Sequence, residues 1–296
     1  MRLRPGVVLA ALCALLTLAA FGAMPTAAAD EEILEDPNAI AAACSTTATA
    51  RTEERTIGDR KYWIYVPAGI PSTGAPLVVS VHGGRNNPLT FEGQTGWTDM
   101  ARQHRFIVAY PRGSKSDGGG NYSWDFASNS ADVPFLRNVV GQIRGRYCVT
   151  PSRVHIVGHS NGGQMASRMA CNAPDVFASG AVYAGPGPTV PYVGDCNPNR
   201  PVSFGLFVGD KDDTVMMELM NKHQEQWRWV NRECGIGWTT ETGYDVKDGK
   251  RFDCRNGTKV IWRVYGNGEH NYPTGDRRTD MHNRMWSLFQ NNPRPF

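Results

Sequence analysis

No two cysteines in this sequence stand at C-x-x-C spacing, so the usual pattern of a zinc or dithiol redox site is missing. An excess of one charge sign is also missing. Thirty-one Lys and Arg face 28 Asp and Glu, for a formal net charge of +3, with both signs interspersed. That balance argues against nucleic acid or an acidic membrane surface as the main partner. There is no internal repeat, no linker rich in Ser, Thr or Pro, and no appended module. The expectation is therefore one domain, and no metal or organic cofactor is implied.

What is present begins with an export pattern. Arg2 and Arg4 precede an apolar run from Val7 to Ala23, and Ala27-Ala28-Ala29 stand before Asp30. A basic start, a short apolar stretch and an A-x-A-like site predict a cleaved signal peptide over 1–29, and hence a secreted protein with no membrane attachment after cleavage. Cys13 would leave with it. Six cysteines remain in the mature chain, Cys44, Cys148, Cys171, Cys196, Cys234 and Cys254. An even number in an exported chain predicts three disulfides. Residues 30–59 read as an irregular lead-in, and 60–296 as the folded domain.

Within that domain short apolar runs alternate with helical patterns. Strands are expected at 61–66, 77–81, 106–110, 154–157, 181–183, 202–208 and 259–265. Near-continuous apolar runs of this length suit strands buried on both faces of a parallel sheet. Val133, Leu136, Val140, Ile143 and Tyr147 share one helical face, with Asp132 expected to cap its start. Further helices are expected at 161–171, 216–234 and 280–290. The alternation predicts an α/β fold with a doubly wound, mostly parallel sheet.

Gly158-His159-Ser160-Asn161-Gly162 matches G-x-S-x-G between an expected strand and an expected helix. Such an elbow holds its serine in a strained conformation, exposes the hydroxyl at the carboxyl edge of the sheet, and points a helix N-terminus at any oxyanion formed there. A nucleophilic serine needs a base and an acid, in chain order Ser, Asp, His. The strand 202–208 runs into Gly209-Asp210-Lys211-Asp212-Asp213, which offers three carboxylates. His270 lies in a Gly-rich loop after the last strand and is the candidate base. His223 and His282 read as helix-surface residues, His104 as helix surface, His155 as a strand residue and His159 as packing beside the turn. Oxyanion donors are expected from the N–H groups of Asn161 and of Gly84, the latter in His82-Gly83-Gly84 after the strand 77–81. His82 is expected to brace that loop. Trp97, Trp124 and Tyr122 are placed in loops at the entrance, where they would stack on an aromatic acyl group or a sugar.

Taken in order, these motifs resemble the secreted polyhydroxybutyrate depolymerase and feruloyl esterase group of α/β-hydrolases. The matching pieces are PLVVSVHGG at 76–84, FIVAYPRG at 106–113, DVPFLRNVV at 132–140, RYCVTPSRVHIVGHSNGG at 146–163, VGDKDDTV at 208–215 and GNGEHNYP at 266–273. The resemblance implies a Ser-Asp-His triad. In this group the acid stands three residues after the glycine that ends its strand, which selects Asp212, with Asp210 and Asp213 as fallbacks. The cysteine layout also resembles that of secreted feruloyl esterases, and the preferred pairing is Cys44–Cys148, Cys171–Cys196 and Cys234–Cys254. One departure stands out. Relatives often carry Trp after the catalytic His, whereas this chain has Asn271-Tyr272, and Tyr272 joins Trp97 and Trp124 as a substrate-binding candidate.

The expected activity is carboxylic ester hydrolysis through an acyl-enzyme, on hydroxycinnamate or short-chain acyl esters of plant polysaccharide. The alternative is a polyester depolymerase. With no propeller or cap domain in view, a serine peptidase is disfavoured. Ser, Asp and His standing in that order disfavour a non-catalytic binding protein. Nothing in the sequence sets the oligomeric state, and the sequons at Asn121 and Asn256 matter only in a glycosylating host.

Overall fold

Six parallel strands form the centre of a ten-stranded sheet, and four of them, 75–81, 107–111, 179–183 and 203–209, are buried along their whole length. The computed structural model describes residues 44–187, 196–232, 234, 235, 237–254 and 256–295. The expected signal peptide and most of the expected lead-in lie outside them. All described residues fall in one compact unit, Pro37–Phe296.

In chain order the elements are β1 (Glu53–Ile57), β2 (Arg60–Tyr65), β3 (Ala75–Val81), α1 (Pro88–Thr95), α2 (Trp97–His104) and β4 (Ile107–Pro111). A small hairpin, β5 (Lys115–Ser116) and β6 (Tyr122–Ser123), leads to α3 (Asp132–Arg144), β7 (Val149–His159), α4 (Asn161–Asn172) and β8 (Ser179–Tyr183). The chain continues through β9 (Ser203–Gly209), α5 (Thr214–Val230), β10 (Thr239–Thr240), β11 (Val246–Asp253), β12 (Lys259–Tyr265) and α6 (Gly275–Asn291). The sheet order is β1-β2-β4-β3-β7-β8-β9-β12-β11-β10. From β4 to β12 neighbours are parallel, and the outer pairs at both ends are antiparallel.

Alternation along each strand divides the core into two layers. Leu77, Val79, Ile156, Val182, Leu206 and Val264 face the layer that also holds Leu136 of α3, Met165 of α4 and Trp227 of α5. Val78, Val108, Val157, Ala181 and Phe207 face the layer that holds Met100 of α2 and Met285 and Phe289 of α6. Helices thus cover both faces of the sheet, as a doubly wound fold requires.

Two expectations about the frame need correction. The expected lead-in is not irregular throughout, because β1 pairs with β2 from Glu53–Ile64 to Ile57–Arg60. Its sequence EERTI alternates partly buried and exposed positions, so it carries no apolar run to betray an edge strand. Asp132 does not cap α3. It is the first residue of the helix, and the preceding Ala131 makes no side-chain cap. The Asp132 carboxylate is buried instead, accepting from Arg60 Nη2 at 2.6 Å, Ser114 Oγ at 2.8 Å and the Asp125 N–H at 2.8 Å. A buried carboxylate is tolerable only when paired in this way.

Candidate active site

Ser160 stands between β7 and α4 with a backbone at φ 51° and ψ −122°, a left-handed conformation that non-glycine residues adopt only under constraint. The constraint comes from close packing around it. A Cβ on Gly158 would lie 2.2 Å from the Gly162 carbonyl oxygen, and one on Gly162 would lie 2.2 Å from the His82 carbonyl oxygen. Glycine at both positions therefore lets the elbow press against itself and against the segment that follows β3. The Ser160 N–H donates to the Tyr183 carbonyl at 3.1 Å, which ties the turn to β8.

His270 and Asp212 meet this serine. His270 Nε2 lies 2.9 Å from Ser160 Oγ, and its Nδ1 lies 3.0 and 3.1 Å from the two Asp212 carboxylate oxygens. A carboxylate only accepts, so the proton sits on Nδ1 and Nε2 is left to accept from the serine hydroxyl. The hydrogen bond to Asp212 raises the imidazole above its ordinary value, against the lowering effect of partial burial. The Asp212 side chain is fully buried while His270 is partly open to the cleft.

The two other carboxylates of that loop are placed differently. Asp213 caps α5, accepting from the Met216 N–H at 2.7 Å. Asp210 donates its backbone N–H to the Tyr265 carbonyl at 2.9 Å, and its Oδ1 has no partner among the described residues.

Gly84 and Asn161 flank the serine on the other side. Asn161 is the first residue of α4, so its N–H has no acceptor within the helix. Gly84 stands so close that an added Cβ would lie 3.4 Å from Asn161 Cβ. The preceding histidine braces the loop. His82 Nδ1 donates to the Gly83 carbonyl at 2.7 Å and its Nε2 accepts from the Gly113 N–H at 3.1 Å. Burial lowers His82 to about 4, so it stays neutral.

Three expected placements fail. Trp97 does not line an entrance; it is 0% exposed at the start of α2, with its ring 4.5 Å from that of His282. Trp124 is 2% exposed, and its Nε1 donates to the His82 carbonyl at 2.9 Å, so it supports the glycine loop from within. The ring of Tyr122 is covered by the Arg112 guanidinium at 4.6 Å. Tyr122, in β6, stays half-buried, while Trp97 and Trp124 gain complete burial against partners remote in sequence. Tyr272, by contrast, is half-buried and borders the cleft above Ser160.

Two of the three helical histidines read as surface residues, His223 and His282, are also buried. His223 is 1% exposed and forms a closed set, donating from Nδ1 to the Gly185 carbonyl at 2.9 Å and accepting at Nε2 from Ser167 Oγ and Trp227 Nε1. His282 is 3% exposed, with its Nε2 3.0 Å from the Tyr272 hydroxyl. Every polar neighbour that makes this burial affordable lies on another turn or element, which a single helical pattern does not reveal.

The cleft above Ser160 has a volume of about 370 Å³. Besides the residues already named it presents Asn86, Gln94, Asn271 and Thr274. Sequence reasoning missed Asn86, Gln94 and Thr274, because amides and hydroxyls on loops and on the open face of a helix carry no periodic signal. The three expected disulfides form, as Cys44–Cys148, Cys171–Cys196 and Cys234–Cys254. Among the described residues no group of His, Cys, Asp and Glu has the arrangement of a metal site, and no helix is long and apolar enough to cross a membrane.

Residues 60–188 match the family model described as Esterase PHB depolymerase. Poly(3-hydroxyalkanoate) depolymerase C of Paucimonas lemoignei is 31% identical over 133 residues, a stretch covering 43% of this chain and 32% of that protein. Feruloyl esterase B of Piromyces equi is 29% identical over 162 residues, covering 53% of this chain and 30% of that protein. The matched stretch thus spans less than a third of the length of these two relatives. Among solved structures, the acetyl xylan esterase from Aspergillus awamori has a TM-score of 0.59 at 18% identity, covering 81% of this chain and 99% of that one. The feruloyl esterase module from Clostridium thermocellum has a TM-score of 0.60 at 15% identity, covering 88% of this chain and 95% of that one. The fold is that of the α/β-hydrolases, and over residues 60–188 the chain is similar to the esterases grouped with polyhydroxybutyrate depolymerases.

Proposed function

We propose that this protein is a serine carboxylic ester hydrolase acting through an acyl-enzyme. The observation that carries the reading is His270, within 2.9 Å of Ser160 Oγ on one nitrogen and within 3.0 Å of Asp212 on the other. In this reading Ser160 Oγ attacks the ester carbonyl while His270 Nε2 takes its proton, and the C–O bond to the alcohol breaks as His270 returns that proton to the leaving oxygen. Water then repeats the sequence to release the acid. Asp212 holds the imidazole in the Nδ1-protonated form, and the N–H groups of Gly84 and Asn161 receive the oxyanion.

For the acyl group the cleft favours a short chain. The hydroxycinnamate expectation rested on the cysteine layout and on stacking by loop aromatics; Trp97 and Trp124 are buried, and the cleft wall carries the amides of Asn86, Gln94 and Asn271 and the hydroxyl of Thr274. Tyr272 is the aromatic residue left beside it. A second reading, hydrolysis of a polyhydroxyalkanoate, is favoured by the family match and by the relative from Paucimonas lemoignei. Three disulfides are the mark of an oxidising compartment, which supports secretion.

The test is fluorophosphonate labelling and turnover of p-nitrophenyl acetate, methyl ferulate, acetylated xylan and amorphous polyhydroxybutyrate by the native protein and by Ser160→Ala. Labelling should vanish and ester turnover should fall by several orders of magnitude in the variant. Labelling that persists in Ser160→Ala overturns the nucleophile. Clearing of the polyester without turnover of the acetyl esters overturns the short-chain reading in favour of the second.

A further inference from the structure

Three consecutive carbonyls of the loop that carries His270 are held by three different parts of the molecule. The Gly268 carbonyl accepts from the Lys211 N–H at 2.8 Å, in the loop that also carries Asp212. The Glu269 carbonyl accepts from the Tyr183 hydroxyl at 2.6 Å, from the end of β8. The His270 carbonyl accepts from His159 Nε2 at 2.7 Å, and His159 is the residue directly before the nucleophile.

The last bond fixes a tautomer. A carbonyl only accepts, so the His159 proton is on Nε2 and Nδ1 is bare. That bare nitrogen faces the glycine loop, where a Cβ on Gly83 would lie 3.0 Å from it. The ring is enclosed by Phe91, Tyr183 and Tyr272, with centroids 6.4, 6.0 and 5.7 Å away. One imidazole therefore touches the glycine loop, precedes the serine and holds the backbone of the base. In the sequence it occupied the variable position of the elbow and read as packing.

We propose that His159 is a positioning residue for ester hydrolysis, fixing His270 at hydrogen-bond distance from Ser160 through the bond from its Nε2–H to the His270 carbonyl. The proposal rests on the reading of Ser160, His270 and Asp212 given above. Burial lowers His159 to about 4, with Asp212 and His270 acting on it in opposite senses, so the ring keeps its single neutral form across the range in which His270 titrates. A neutral donor is what the arrangement needs, since a cation here would repel the imidazolium that forms on His270 during each acyl transfer.

Simple packing and donation predict different variants. Glutamine places an amide N–H as many bonds from Cβ as His159 Nε2, whereas asparagine reaches only as far as Nδ1 and leaves the His270 carbonyl unpaired. His159→Gln, His159→Asn and Ser160→Ala are compared with the native protein by kcat and KM for p-nitrophenyl acetate from pH 4 to 10, with thermal melting of each. His159→Asn is expected to lose about 10- to 100-fold in kcat with KM within about twofold, the scale of a misplaced catalytic group. Its acid limb should move to lower pH, because His270 held less firmly against Asp212 loses part of its raised value. His159→Gln should recover most of the rate and the native acid limb. Equal rates and equal acid limbs for the Asn and Gln variants overturn the proposal, whether both are active or both are impaired. Should Ser160→Ala retain full turnover, the reading of the site itself falls and the proposal with it. A dead Ser160→Ala beside equal Asn and Gln variants removes His159 alone.

Discussion

Gly209 and Gly268 meet backbone to backbone. A Cβ on Gly209 would lie 2.1 Å from the Gly268 carbonyl carbon and oxygen, so the end of β9 and the loop after β12 share a space with no room for a side chain. Asp212 follows the first glycine and His270 the second. The distance between Asp212 and His270, the acid and base of the proposed mechanism, is thus set by two glycines outside that chemistry. Gly209→Ala is expected to push the two loops apart, lowering kcat/KM at least about tenfold and stability by about 1–3 kcal/mol. Urea unfolding and p-nitrophenyl acetate turnover check both, and a native rate in this variant contradicts the relationship.

The three carboxylates after β9 separate by what each one holds. Asp212→Asn is expected to cost far more turnover than Asp210→Asn or Asp213→Asn, since Asp212 alone among them contacts His270. Asp213→Ala should instead lower stability by about 1 kcal/mol through the lost cap on α5, with turnover nearly unchanged. Parallel kinetics and melting on these variants decide the matter. A crippling Asp210→Asn would move the acid role to that residue.

The activity should fall on acidification with a midpoint above 6.5, because His270 must be neutral to accept a proton and its contact with Asp212 raises it. Asp212→Asn removes the negative charge behind that contact and should shift the acid limb down. Stability has a different origin. His82 and His159 are lowered to about 4, and His155, His223 and His282 to about 3, all by burial. Between pH 6.5 and these values the unfolded chain binds protons that the folded chain refuses, so stability is full above 6.5 and declines as pH falls toward 4 and 3. His270, raised when folded, contributes in the opposite sense, with stability present below 6.5 and lost as pH rises through its folded value. Five histidines against one make the acid-side loss the larger, and melting curves from pH 8 to 4 should show it.

Reduction should lower thermal stability before it alters the site. Cys44–Cys148 closes a span of 104 residues and Cys234–Cys254 one of 20. In the chain-entropy account the longer loop contributes more, about 4–5 kcal/mol against about 3. The Cys44→Ser/Cys148→Ser double variant is therefore expected to melt lower than Cys234→Ser/Cys254→Ser, and the reverse order would reject that account for this protein.

The sequence by itself determined the six parallel strands and the turn at Ser160. A strand buried on both faces must be apolar along its whole length, and a strand pressed into a helix at a sharp turn must place glycines where Gly158 and Gly162 stand. Both demands are local, so they leave local marks. The antiparallel strands β1 and β11 leave none, because their sequences EERTI and VKDGKRFD keep one face toward water and carry charge there. Which aromatic and imidazole rings are buried was decided only by tertiary structure. Trp97 needs His282 of α6, Trp124 needs the His82 carbonyl, and His223 needs Ser167 of α4 and the Gly185 carbonyl. The cost of burying a polar ring depends on partners dozens of residues away, and no pattern within one helix or loop records whether they arrive.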